Sequence, residues 1–361
     1  MKLLIFLLPL FIFLGCSKTP QVLSDKMPKT HLVQKDFSNL ANWQNENHNE
    51  ALNSFINSCK TKKTKKLYNG LCLDALKTKN AKLFLQNNFS PFEINTKDAK
   101  TDGLLTGYYE AQLYGSLEKT SIYKYPIYKT PKDLITVNLS SIYPNLKNYR
   151  LRGRLVNNKL IPYYNRSQLK HINSEIICYT DSKIDLFFLE IQGSGRVILE
   201  NGKTIFISYA NQNGHKYRAI GRYLINLGEI KKEDISLQSI KAWLEKNPSR
   251  VNEVLNYNKS LVFFSKSDKP ATGSLGIELT PKRSIAVDPR YIPLGTMLYL
   301  DSTIGDDKFS KIVMAQDTGG AIKGTIRADL FLGYGVDATQ KAGMLKSSLK
   351  LWVLLPKKRD I

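Results

Sequence analysis

The stretch Ser284-Ile-Ala-Val-Asp-Pro-Arg-Tyr-Ile-Pro-Leu-Gly295 is a short β-like run, Ser284 to Val287, cut off by Asp288-Pro289. Proline withdraws the backbone donor that a ladder needs, and an aspartate before it is a good turn former. The same texture repeats downstream, where Met297 to Leu300, Lys311 to Ala315 and Leu349 to Leu355 read as strands. Two further aspartates follow or interrupt such runs: Asp317 in Ala-Gln-Asp-Thr-Gly-Gly and Asp329 in Arg-Ala-Asp-Leu-Phe.

Upstream of this stretch, Ser260 to Phe264 is β-like, and helical periodicity covers Lys216 to Leu227, Leu237 to Glu245 and Val251 to Leu255. Earlier still, Leu104 to Tyr109, Leu134 to Leu139, Leu186 to Ile191, Val197 to Leu199 and Thr204 to Tyr209 read as strands. Asn201-Gly202 between the last two is a type I′ hairpin signal. Before Pro91, Leu40, Trp43, Leu52, Phe55, Ile56 and Cys59, then Leu73, Leu76, Phe84 and Leu85, recur at amphipathic-helix spacing. This order predicts an α+β chain, mainly β with flanking helices, built around barrel-like sheets with one part inserted into another.

The chain has 361 residues, 42% apolar and 23% charged, enough for two folded domains and unlike a disordered polymer. Met1-Lys2, the apolar run Leu3 to Leu14 and Gly15-Cys16-Ser17 follow the layout of an export signal, too short to span a bilayer. Cys16 after Phe13-Leu14-Gly15 resembles the lipobox of bacterial lipoproteins, with Phe13 where an aliphatic residue is usual. An ordinary secretory signal is the alternative. Acylation of Cys16 by two or more chains would anchor the protein, and Ser17 resembles an outer-membrane sorting signal, so the expected location is the outer membrane, facing the periplasm. Residues 17–35 are polar and unpatterned, as a tether would be.

An oxidising compartment makes Cys59 and Cys72 a candidate disulfide, with two buried thiols as the alternative, and leaves Cys178 free. The net charge of +22 suits nucleic acid, anionic lipid or an acidic polymer, and export argues against nucleic acid. Lysines are spread along the chain among many asparagines, which weakens any reading of the charge as a binding surface.

The four histidines are scattered without zinc spacing, and no serine-hydrolase elbow, P-loop or dinucleotide fingerprint occurs. No metal or cofactor is expected. Asp288, Asp317 and Asp329 suit another chemistry. Carboxylates at strand ends beside glycines can reach an extended polymer, and a positioned acid of raised pKa can protonate a glycosidic oxygen. Each is also explained singly as a turn former or helix cap. Asp317-Thr318-Gly319 further matches the aspartic-protease signature, but such enzymes share a proton between two aspartates. With no second triplet, that reading needs a symmetric dimer.

Longer motifs decide between these. Gly103-Leu-Leu-Thr-Gly-Tyr-Tyr-Glu110, Phe187-Phe-Leu-Glu-Ile-Gln-Gly-Ser-Gly195, Tyr209-Ala-Asn-Gln-Asn-Gly-His215, the opening stretch 284–295, Asp317 to Asp329, and Leu351-Trp-Val-Leu-Leu355 together resemble the membrane-bound lytic murein transglycosylase A family, from about Leu40 to Pro356. The resemblance implies a double-psi β-barrel domain with a second β-barrel domain inserted, and a glycan groove between them. Its expected divisions are a signal peptide (1–15), a lipidated tether (16–37), helices with the first part of the barrel (38–117), the insert (118–262), and the second part with the three-aspartate module (263–361). It also implies non-hydrolytic cleavage of peptidoglycan glycan strands, with Asp329 as catalytic acid and base and Asp317 and Asp288 in support. Tyr108, Tyr109 and Glu110 are expected at sugar faces and hydroxyls, and Gln192, Ser194 and Gly195 as the insert's share of the groove. Core packing of a tyrosine and a plain hairpin turn are the respective alternatives. Cell-wall synthesis or division proteins are conceivable partners, and a glycan-binding protein without activity is the remaining alternative.

Overall fold

The computed structural model describes residues 23–27, 29–149 and 151–357; the signal-like residues 1–15 and Cys16 lie outside them. The architecture hangs on one 14-residue strand, Gly103–Ser116, which belongs to two barrels in turn. Its first half pairs in parallel with Arg327–Tyr334 and antiparallel with Lys346–Pro356. From Lys346–Pro356 the pairings run through Met297–Ile304, Asp307–Asp317 and Ser284–Val287 back to Arg327–Tyr334. Six strands therefore close on themselves, which removes the exposed edges of an open sheet. This is the first of the two barrels expected from the resemblance. Met297 to Leu300 and Ile312 to Gln316 are buried residue after residue, because one side of each strand faces the barrel interior and the other lies under helices.

The covering helices are His48–Ser58, Lys62–Tyr68, Leu71–Lys77 and Ala81–Asn88. Asn47, Thr61 and Asn80 each cap a helix start by accepting a backbone N–H from three residues on. Cys59 and Cys72 are joined as a disulfide, and Cys178 is a buried free thiol. Arg283, fully buried, pins this layer to the barrel. Its guanidinium donates to Glu46 (2.8 and 3.1 Å), to Glu50 (2.8 Å) and to the carbonyl of Ile312 (2.9 Å). Glu46 in turn accepts the Ile312 amide at 2.6 Å.

The second half of the long strand pairs in parallel with Ser194–Leu199 and at its end antiparallel with Ile176–Thr180. Thr204–Gln212, Val262–Ser267 and Tyr125–Tyr128 extend this sheet, and a bridge between Lys129 and Phe264 draws its two ends together. Asn201-Gly202 does join Ser194–Leu199 to Thr204–Gln212, but only Gly202 (φ +78°) is left-handed, and the Leu199 amide donates to the Lys203 carbonyl, so the loop is not the type I′ turn expected, which needs both central residues at positive φ. Helices Ile220–Asn226, Leu237–Lys246 and Val251–Tyr257 pack around Phe187, Leu224, Leu244 and Val254.

Several elements differ from expectation. Leu186 to Ile191 is not a strand but part of the helix Lys183–Gln192. Ser182 caps it by accepting the Asp185 amide at 3.0 Å, and Gly193 (φ +79°) ends it in the left-handed conformation; an unbroken apolar run cannot by itself separate the two states. The helix expected from Lys216 starts only at Ile220, and the strand expected over Leu134 to Leu139 shrinks to Ile135–Thr136. The expected tether is also shorter. Leu23 and Met27 are 2% and 1% exposed, and His31–Gln34 pairs with Phe89–Asn95, so the folded body includes residues from Leu23 onward. A four-residue edge strand whose only apolar residues, Leu32 and Val33, are adjacent and half-buried carries no apolar alternation for a sequence to show. Among the described residues no helix is long and apolar enough to cross a membrane.

Candidate active site

Asp329 lies in the middle of the strand Arg327–Tyr334, opposite Thr106 on one neighbour and Ala286 on the other. It is neither a turn residue nor a helix cap, the two bland readings that the sequence allowed. Its Oδ1 accepts a hydrogen bond from Thr106 Oγ1 at 2.5 Å. Thr106 Oγ1 in turn accepts from Arg327 Nη2 at 2.8 Å. A guanidinium only donates and a threonine hydroxyl has a single proton, so that proton is committed to Asp329. Burial pushes the Asp329 pKa up, and the nearby Asp317 carboxylate adds to this, against the opposing Thr106 bond and Arg327 charge. Burial likewise lowers the Arg327 pKa.

Asp317, at the end of Asp307–Asp317, is saturated with donors. Oδ1 accepts from Ser274 N (2.9 Å), Ser274 Oγ (2.8 Å) and Thr318 N (2.8 Å), and Oδ2 from Tyr108 Oη (3.1 Å). This locks the 273–276 turn against the strand end. Gly273 is required there, since a Cβ would stand 2.4 Å from the Gln316 carbonyl oxygen. Asp288 is 1% exposed. Burial works against its charge, but Arg290 (Nη2–Oδ2 2.5 Å, Nε–Oδ1 2.9 Å) and the amides of Gly324 and Arg290 prevail and hold its pKa at about 2. Through Gly324 it fixes the loop that leads into the Asp329 strand.

The remaining expected site residues are placed differently. Tyr108 is buried against Phe331 with ring centroids 5.3 Å apart, and burial together with the Asp317 and Asp329 carboxylates raises its pKa, so it serves as a hydroxyl donor and not as a sugar platform. Tyr109 is 5% exposed in the main core. Glu110, 1% exposed, accepts from Arg196 at 2.6 Å and from the Ala271 amide at 3.2 Å, and Arg196 lies 3.5 Å over the Tyr334 ring. Glu110 thus ties together the two crossings between the barrels instead of meeting sugar hydroxyls. Gln192 accepts the Tyr109 amide at 3.2 Å, bringing the helix end of the insert to the same junction. Ser194 sits opposite Ser208 in the hairpin. Gly195 allows close approach to the long strand: a Cβ would be 2.7 Å from the Ala111 carbonyl oxygen. Thr106 and Arg327, which touch or orient Asp329, are the residues that sequence reasoning missed. A cavity of about 210 Å³ lined by Tyr125, Tyr128, Leu169, Lys183, Leu186 and Val262 lies between the second sheet and the helix Lys183–Gln192 and includes none of the three aspartates.

Comparison with known proteins agrees with this geometry. The family model for the MltA specific insert domain matches residues 104–265, and that for the 3D domain matches residues 283–355. The membrane-bound lytic murein transglycosylase A homolog of Buchnera aphidicola is 32% identical over 273 residues, covering 73% of this chain and 69% of that protein. The chain belongs to the MltA family. The Escherichia coli K12 member is 35% identical over 259 residues, and the match spans 69% of this chain but 64% of that relative's length. Among solved structures, MltA from Neisseria gonorrhoeae in its monoclinic form superposes with a TM-score of 0.82 at 32% identity, covering 92% of this chain and 94% of that one. Escherichia coli MltA with bound chitohexaose matches with a TM-score of 0.69 at 26% identity, covering 92% and 96%. The insert-domain match thus begins on the long strand that both barrels share and ends on Val262–Ser267.

Proposed function

We propose that this chain is a peptidoglycan lytic transglycosylase that cleaves the β-1,4 bond between N-acetylmuramic acid and N-acetylglucosamine without water, leaving 1,6-anhydromuramic ends. The observation that carries this reading is the contrast between one carboxyl of raised pKa at Asp329 and two neighbouring aspartates already consumed by other donors. A hydrolytic glycosidase needs a second carboxylate as nucleophile or base. Here the sugar's own C6 hydroxyl is the nucleophile, tethered and hence at high effective concentration. Thr106 occupies Oδ1, so the acid proton sits on Oδ2. Asp329 gives it to the leaving glycosidic oxygen, and the resulting carboxylate, stabilised by Thr106, takes the C6 hydroxyl proton as that oxygen closes on the anomeric carbon. The chitohexaose bound to the Escherichia coli relative supports a glycan as ligand. Acylated Cys16 as an outer-membrane anchor belongs to the same proposal, in line with the membrane-bound names of the relatives.

Purified sacculi treated with the chain from Ser17 onward are expected to release anhydromuropeptides, read by mass spectrometry. Reducing-end muropeptides would mean hydrolysis and overturn the proposal. Thr106→Val keeps the shape and removes the hydroxyl. It is expected to lower turnover roughly 10- to 100-fold, the worth of one hydrogen bond to a charged group, with KM little changed. Losing a bond that favours the carboxylate raises the Asp329 pKa further, so the alkaline limb of the pH–rate profile moves to higher pH. An unmoved limb would count against the proton role.

A further inference from the structure

We propose that the disulfide-stapled helical lobe spanning residues 60–83 is a membrane-contact surface that lies on anionic phospholipid. The segment holds eight lysines and a single carboxylate, Asp74, with Lys62, Lys63, Lys65 and Lys66 all exposed on the helix Lys62–Tyr68. Beside them stand Leu73, Leu76 and Leu83, 62%, 64% and 53% exposed. Leu73 and Leu76 are three apart on Leu71–Lys77 and so lie on neighbouring parts of one helix surface. Lysines in the same lobe as exposed leucines match a bilayer interface, where the ammonium groups meet phosphates and the leucines reach the acyl boundary. A purely polyanionic partner would use the lysines and leave the leucines in water. Helices of seven residues are too short to hold their shape alone; burial of Tyr68, Leu71 and Phe84 and the Cys59–Cys72 bond fix them as a preformed surface.

The position of the body argues the same way. Six residues, 17–22, separate Cys16 from the buried Leu23, a reach of no more than about 25 Å. A compact chain of this length is roughly 50 Å across, so a body acylated at Cys16 is held within about half its own width of the bilayer. The inference rests on the anchor proposal for this reach alone; the lysines and leucines stand apart from it and from the glycan chemistry.

The test uses the chain from Ser17 onward, which keeps every described residue and carries no acyl group, in sedimentation with phosphatidylethanolamine–phosphatidylglycerol vesicles and with phosphatidylcholine vesicles. Binding is expected to the first and not the second. Lys62→Glu, Lys63→Glu, Lys65→Glu and Lys66→Glu together should abolish it, and Leu73→Ser, Leu76→Ser and Leu83→Ser together should weaken it about tenfold. The same charge change at Lys119, Lys203, Lys231 and Lys232 should leave most of it. Circular dichroism and glycan release, unchanged in all three variants, show that folding and catalysis are intact. No binding to anionic vesicles, equal loss from the remote charge change, or loss from the lysine variant with none from the leucine variant would each overturn the proposal, the last in favour of a soluble polyanion.

Discussion

Asp329→Asn is expected to slow release of anhydromuropeptides by about 10³- to 10⁴-fold, the upper range for loss of a general acid that must also act as base, while glycan binding persists. Asparagine keeps an oxygen for the Thr106 hydroxyl and cannot carry the proton. The same variant has a signature in stability. Burial raises the Asp329 pKa in the folded state above its ordinary value, so the folded chain binds that proton more tightly than the unfolded chain does. The stabilisation is complete below the ordinary carboxyl range and is lost as pH rises through the raised pKa. Asparagine never ionises. The variant should therefore gain thermal stability over the parent at neutral pH, and the gain should vanish in acid. Full activity in Asp329→Asn, or a Tm difference indifferent to pH, would refute the assignment.

Arg283→Met should be the most destabilising single change among those named, at about 3–5 kcal/mol, the cost of leaving a buried carboxylate without its partner. Glu46 and Arg283 side chains are both 0% exposed. Without the guanidinium, Glu46 keeps only the Ile312 amide against the full penalty of burial. Adding Glu46→Leu should restore much of the loss, because removing both charges is far cheaper than removing one. Urea unfolding of the two single variants and the double variant measures this. A loss under about 1 kcal/mol in Arg283→Met would show that water reaches the cluster.

Where local chemistry settles the outcome, the sequence was readable. The strand Ser284–Val287 ends at Asp288-Pro289, Asn201-Gly202 joins its two strands though by a different turn type, and the helix Leu237–Lys246 follows its apolar spacing. Leu186 to Ile191 was misread because its apolar residues are continuous and the deciding signals, Ser182 and Gly193, lie outside the run. The strand around Asp329 went unread because it is flanked by parallel and antiparallel neighbours from distant parts of the chain. The role expected of Asp329 came with a family resemblance. Its environment did not, since the Thr106 contact spans 223 residues of sequence and no spacing rule reaches that far. Tyr108, Tyr109 and Glu110 were placed at the right crossing, but a linear motif does not tell which way a side chain points.

The shared strand Gly103–Ser116 also governs the order in which the molecule can be made. Its first half finds partners only in strands that are synthesised more than two hundred residues later, while its second half is completed earlier by the insert. The loop that must close to pair Thr106 with Asp329 is long and its formation correspondingly slow, unless the insert folds first and draws the ends together. A growing or truncated chain that lacks Arg327–Tyr334 therefore cannot bring Asp329 to Thr106, so the proposed proton-transfer site is assembled only after that strand has been made.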